Sequence, residues 1–283
     1  MPMDFETSLS TFLDRRLGTT TPDNLAQSLR YSLLAPGKRI RPRLAIASGQ
    51  MLGLHESAAY AAGAAIEMIH CFTLIHDDLP CMDDDDFRRG QPSNHKKFGE
   101  ATALLAGDAL LSMAFETFLE AQNFVDPRHL AAGMSRLLHA IGPQGVIGGQ
   151  AAESLLTSHS TLEELHFMHA RKTGALFEAA LLIPKDLTGG YSDKNLPDEL
   201  DLFAKELGSA FQVADDLDDA HQDAKVGQPP TSILSYMSEE EARSTHFRQL
   251  TQACASLKSR WQARSQPLIE IAEEVLKVLG KSL

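Results

Sequence analysis

Apolar residues return at intervals of three and four through almost the whole chain, and that spacing constrains the fold more than any other feature. Ala61, Ala65, Met68, Phe72 and Ile75 advance by four, three, four and three, which puts them on one buried stripe of a long helix. Leu200, Phe203, Leu207, Ala210, Ala214 and Leu217 repeat the pattern. Further periodic segments run over about 98–122, 126–141, 161–183 and 238–260, and alternating β-branched runs are absent. The spacing predicts an all-α fold. Its joints fall at Gly18 to Pro22, Pro36-Gly37, Pro92, Asp126-Pro127, Gly142-Pro143, Gly189-Gly190 to Pro197, and Gly227 to Pro230. None is a long, low-complexity linker, so residues 1–283 are expected to form one helical domain.

Two aspartate clusters interrupt this background: Asp77-Asp78-Leu79-Pro80-Cys81-Met82-Asp83 and Asp215-Asp216-Leu217-Asp218-Asp219. Carboxylates packed so closely repel and raise each other's pKa, which makes cations their natural neighbours. Hard oxygen ligands favour Mg²⁺, which takes one or two carboxylates and bridges to substrate phosphates. A net charge of −12 argues against nucleic acid as a partner. Basic residues occur instead in short sets, Lys38-Arg39, Arg41, Arg43, Arg88-Arg89, Lys96-Lys97 and Arg171-Lys172, which suit a small anionic ligand. Cys71, Cys81 and Cys254 have no metal-site spacing and read as thiols of a reducing compartment. The N-terminus lacks a basic start followed by an apolar run, and no stretch is expected to reach the length of a membrane span. The expected location is the cytoplasm.

Helical geometry relates the clusters to one another. His70, Thr73 and Asp77 are three and four residues apart and share a face. Pro80 disfavours helix at Leu79, so Asp83 has to reach the site from the following turn. On the second helix, Gln212, Asp215, Asp216 and Asp219 line one wall. Two such helices facing each other would hold several cations above a shaft lined by Phe72, Thr73 and Phe211.

These residues resemble a known family. The segment from Leu74 to Gly99, LIHDDLPCMDDDDFRRGQPSNHKKFG, is similar to the first aspartate-rich motif of the trans-isoprenyl diphosphate synthases, with the spacing of bacterial farnesyl and plant geranylgeranyl enzymes. Gly37-Lys38-Arg39-Ile40-Arg41-Pro42 resembles their basic motif, Gly148-Gly149-Gln150 their GGQ and Lys172-Thr173-Gly174 their KTG. Phe211-Gln212 with Asp215 to Asp219 resembles their second aspartate motif. The five elements stand in family order from about residue 30 to 220.

The resemblance implies a helical bundle around a central cavity and a condensation of two diphosphates. Mg²⁺, three ions per site with Mn²⁺ as a substitute, would sit on Asp77, Asp83, Asp215 and Asp219, with Asp78 in support. These ions neutralise the diphosphate that leaves an allylic substrate, dimethylallyl or geranyl. Arg88, Lys172 and Lys225 would bond that diphosphate, while Thr173, Gln212 and the Lys172 carbonyl stabilise the cation left behind. Isopentenyl diphosphate would dock without metal on Lys38, Arg41, His70 and Arg89. In the family, the residues four and five places before the first aspartate form the floor of the product cavity. Here they are Thr73 and Phe72. A ring at Phe72 implies a stop at farnesyl diphosphate, C15. Geranylgeranyl diphosphate, C20, is the alternative, and a non-catalytic partner subunit stands behind both. The resemblance also implies a homodimer, and the small residues of Ala58–Ala65 and Ala101–Ala109 would permit close helix contact. The chain departs from the family at Glu153, where Asp is usual, and in the shortened segment after Asp219, which keeps only Lys225 of two lysines.

Overall fold

The first of the two stripes forms the centre of the molecule. The computed structural model describes residues 22–190, 197–219 and 232–280, with isolated positions 7, 11, 14 and 17 and without the side chains of Pro197, Asp198 and Asp219. Among these residues the chain runs through α1 (Asp23–Leu33), α2 (Ile40–Leu52), α3 (Glu56–Asp77), a hairpin of β1 (Phe87–Arg88) and β2 (Gln91–Pro92), and α4 (Asn94–Phe98). There follow α5 (Glu100–Leu119), α6 (Pro127–Ile141), α7 (Val146–Glu153), α8 (Leu162–His169), a π turn (Ala170–Gly174), α9 (Ala175–Leu187), α10 (Pro197–Asp219), α11 (Glu239–Trp261) and α12 (Gln266–Leu279). The fold is all-α.

The periodic residues are buried as predicted, in α3 and in α10 alike. α3 goes further than one stripe. Ala58, Ala59, Ala62, Ala64, Ile66 and Ile69 are buried too, because α2 and α5 pack along it and α9 closes against it. α9 is the second central helix and packs on α2, α6 and α10 as well. The buried apolar side chains form one contiguous cluster. Local chemistry sets the joints: Asp126 accepts a bond from the Arg128 N–H at 2.8 Å, with Pro127 opening α6. Thr161 and Glu164 form a reciprocal capping box on α8.

Two expectations change. Helices over Glu56–Asp77 and Glu100–Asn123 are each long and apolar enough to cross a membrane, against the reading that no stretch reaches that length. The first is 78% buried over its apolar window and is the core helix; the second is only 39% buried, and it leaves Leu104, Leu105 and Leu119 exposed. The Ala58–Ala65 face is consumed inside the bundle, and Ala103, Ala106 and Gly107 of α5 are buried as well, so the exposed side of α5 presents leucines and not the small-residue face.

Candidate active site

The loop before α2, the α3 helix, the hairpin and α10 enclose a cleft of about 330 Å³ whose walls include Lys38, Arg41, Glu67, His70, Arg89, Phe211 and Asp215. It brings together the four residues assigned from the resemblance to isopentenyl diphosphate. Arg41 donates to His70 Nε2 at 3.3 Å and its guanidinium lies 4.6 Å from the centre of the Phe177 ring. Burial lowers the Arg41 pKa to about 10, against opposing pulls from the Glu67 and Asp215 carboxylates. Arg41 therefore stays charged at neutral pH. His70 is driven well below its usual range, first by burial and then by Arg41, Arg89, Arg39 and Arg88. Arginine has no acceptor, so Nε2 of the neutral ring accepts and Nδ1 carries the proton. Arg89, with φ of 53°, donates to the Pro36 carbonyl at 3.3 Å.

The second site starts where α3 ends. The helix stops at Asp77, two residues before the predicted Leu79, and the turn closes by bonds from Asp83 N to the Asp77 carbonyl (2.9 Å) and from Met82 N to the Leu79 carbonyl (2.8 Å). This brings Asp83 back beside Asp77. Burial raises the Asp77 pKa to about 7; Lys172 opposes the rise, and Asp83 and Glu153 add to it. Burial also raises Asp83. Mutual repulsion is thus present, as the sequence suggested, but second to desolvation. Lys172 pairs through Nζ with Glu153, and it sits with Thr173 in the π turn. Gly149 lets α7 reach that turn: a Cβ there would lie 2.2 Å from the Lys172 nitrogen. The GGQ and KTG motifs are therefore two halves of one contact.

Several side chains do other work than the resemblance implies. Arg88 donates through Nε to Asp78 at 2.8 Å and through Nη2 to Asp85 at 3.0 Å. Asp78 is buried under that pair, so its carboxylate is engaged by Arg88. Asp215 is exposed on the cleft wall, whereas Asp216 is buried and accepts from Gln212 Nε2 and from the Ile233 N–H, each at 2.8 Å. Phe72 is 7% exposed and packs edge-on to His76 at 5.1 Å. His76 Nε2 lies 3.0 Å from the Leu104 carbonyl, so Phe72 stands on the α5 side of α3, away from the cleft. Thr73 is half-buried and donates to the His70 carbonyl at 2.8 Å. Asp219 ends α10, and its side chain and Lys225 lie outside the described residues.

Other features escaped the sequence reading. Asp84, Asp86 and His95 bring possible ligand atoms within 4.8 Å of one another, but the Lys96 ammonium already rests on Asp86 at 2.6 Å. His246 is buried, with Nδ1 2.9 Å from the Ala242 carbonyl. Arg39 and Glu67 form a buried pair. Glu67 did leave a trace, as the one carboxylate between Glu56 and Asp77 on an apolar helix.

The chain matches the polyprenyl synthetase family over residues 22–232. It is 40% identical over 280 residues to geranylgeranyl pyrophosphate synthase 7, chloroplastic, of Arabidopsis thaliana, covering 94% of this chain and 79% of that protein. It is 44% identical over 233 residues to the farnesyl diphosphate synthase of Geobacillus stearothermophilus, covering 81% and 77%. Among solved structures, an FPP/GFPP synthase from Zymomonas mobilis superposes with a TM-score of 0.83 at 36% identity, covering 96% of this chain and 97% of that one. Sequence, fold and the two adjoining charged sites converge: the chain belongs to the polyprenyl synthetase family of trans-prenyltransferases.

Proposed function

We propose that the protein condenses isopentenyl diphosphate with dimethylallyl and then geranyl diphosphate, giving mainly farnesyl diphosphate. The observation that carries this reading is the presence of two differently built charged sites: a basic cleft around Arg41 and His70, and a desolvated carboxylate cluster around Asp77 and Asp83 with Lys172 beside it. A cyclase that handles one diphosphate has no use for the first.

The donor set fits a hard divalent cation. Asp77 and Asp83 offer carboxylate oxygens in a desolvated setting, where burial raises their pKa values and a bound cation would favour their charge. Asp77 and Asp83, with Asp215 and Asp219 from the second helix, would hold Mg²⁺, which would supply neutralisation of the departing diphosphate. The chain's own residues do the rest. Lys172 offers an ammonium to the allylic diphosphate, and Arg41, Arg89, Lys38 and the His70 Nδ1–H hold isopentenyl diphosphate without metal. The allylic C–O bond breaks, the isopentenyl double bond forms the new C–C bond, and the released diphosphate takes the proton lost. No dedicated base is needed. Thr173 and Gln212 lend oxygen dipoles to the transient cation, and the bond from Gln212 to Asp216 fixes which end of the amide faces inward.

Phe72 lies five residues before Asp77, about 7–8 Å down the helix at a rise of about 1.5 Å per residue. Its ring packs on His76 toward α5 rather than into the cleft, so the C15 reading rests on the place of Phe72 in the motif and not on its contacts. C20 is the second reading, favoured by the likeness to the Arabidopsis protein. The test is mass spectrometry of products from isopentenyl diphosphate with C5, C10 and C15 allylic starters. The proposal expects Mg²⁺-dependent C15, with the C15 starter little extended; C20 from every starter would overturn the C15 assignment, and no product would overturn catalysis. Phe72→Ala should lengthen the product, and an unchanged C15 distribution removes Phe72 as the stop. We further propose that a second copy covers the exposed apolar side of α5 around Leu104 and Leu105. Light scattering on Leu105→Glu should then show a monomer, and a dimer of undiminished affinity would exclude this face.

A further inference from the structure

The basic motif places Lys38 and Arg41 in the cleft, yet the residue between them that reaches deepest is Arg39. Its backbone is left-handed, with φ 48° and ψ 38°, at the cap position of α2, a conformation that side chains other than glycine rarely adopt. Its guanidinium is turned inward and only 8% of the residue is exposed. Nη1 meets Glu67 Oε1 at 2.5 Å. Nη2 donates to the Leu33 carbonyl at 2.9 Å and to the Ala35 carbonyl at 2.7 Å. One side chain thus binds the end of α1, the loop that follows it and the core helix α3. Glu67, 3% exposed, stands one turn before His70 on the same helix and lines the same cleft, where its charge also favours that of Arg41.

We propose that Arg39 and Glu67 are positioning residues for the isopentenyl diphosphate pocket: their bond fixes the loop so that Lys38 and Arg41 face His70 and Arg89. The inference rests on the pocket assignment above. The geometry gives it content. A left-handed residue reverses the chain locally, so Lys38 projects outward, Arg39 inward, and Arg41 onto His70 and Phe177. A buried fork held by three acceptors on separate segments leaves that loop a single arrangement. Lysine at position 39 keeps the charge but loses the fork, and glutamine at 67 keeps the shape but loses the charge.

The experiment is steady-state kinetics on Arg39→Lys and Glu67→Gln, varying each substrate in turn, beside melting temperatures. A donor misplaced by about 1 Å can cost up to about a hundredfold. Each folded variant should therefore raise KM for isopentenyl diphosphate about tenfold or more, with KM for geranyl diphosphate within about twofold of the parent. A variant that melts normally with an unchanged isopentenyl KM overturns the proposal. So does a parallel loss for both substrates that tracks melting temperature, since that marks a merely structural pair. If one variant fails to fold, the other carries the test, because only Arg39→Lys disturbs the two carbonyl bonds. Lys38→Ala and Arg41→Met run alongside; if neither changes the isopentenyl KM, the pocket assignment itself falls and takes the proposal with it.

Discussion

The basic cleft and the acidic cluster sit at successive turns of one helix, but they are prepared in opposite ways. In the cleft the charges are already arranged: Arg41 rests on His70 and over Phe177, and the Arg39–Glu67 pair lies behind it. In the cluster, burial raises the Asp77 pKa to about 7 and raises that of Asp83, so the charged carboxylates are disfavoured there. One site is finished before its ligand arrives. The other disfavours the charge of its own carboxylates until a cation enters. That difference suits a pair of substrates of which one is to be held intact and the other ionised.

The sharpest way to break the comparison is Asp77→Asn. Removing a carboxylate proposed to hold the cation should lower kcat about a hundred- to a thousandfold, while isopentenyl diphosphate binds the variant with parental affinity. A loss of both would mean that the two sites are not separate. Gly149→Ala comes next. The added methyl has to displace the Lys172 backbone, so kcat should fall about ten- to a hundredfold and stability by about 1–3 kcal/mol, leaving the isopentenyl KM unchanged. Full activity in the variant would separate the two motifs that this contact joins.

The smallest effect is on stability against pH. A carboxyl with a raised folded pKa contributes stability that is fully present below its unfolded value, 3.8, and is lost as pH rises through about 7. The metal-free protein should therefore lose part of its stability between those values. Mg²⁺ competes with that proton, so its increase in melting temperature should be larger at about pH 8 than at about pH 6. Equal increases at both would argue against Asp77 as a ligand. His70 acts in the opposite sense, because its folded pKa lies below 6.5: its contribution is present above that value and lost as pH falls further.

Much of this was legible in the sequence because it is local. The spacing of Leu200 to Leu217 names buried positions correctly, since helical geometry alone decides which residues share a face. The closeness of His70 to Arg41 followed from motif likeness, and the structure places them together. What stayed hidden joins distant segments. Arg39 and Glu67 are 28 residues apart, Lys172 and Glu153 19, and Asp216 and Ile233 17. No period links such positions, and charge type alone does not say whether Arg39 faces a ligand or the core. The bond of Asp78 to Arg88 stayed hidden too: being next to Asp77 on the chain puts it about 100° round the helix, toward Arg88.

The most direct test of the contrast between the two sites is isothermal titration of the metal-free protein, in chelator and then in Mg²⁺, with isopentenyl diphosphate and with geranyl diphosphate. Isopentenyl diphosphate should bind in chelator with an affinity that Mg²⁺ changes little, and geranyl diphosphate should bind tightly only once Mg²⁺ is present. An isopentenyl diphosphate signal that vanishes with the metal, or a geranyl diphosphate affinity indifferent to it, would contradict the division of labour between the cleft and the aspartates.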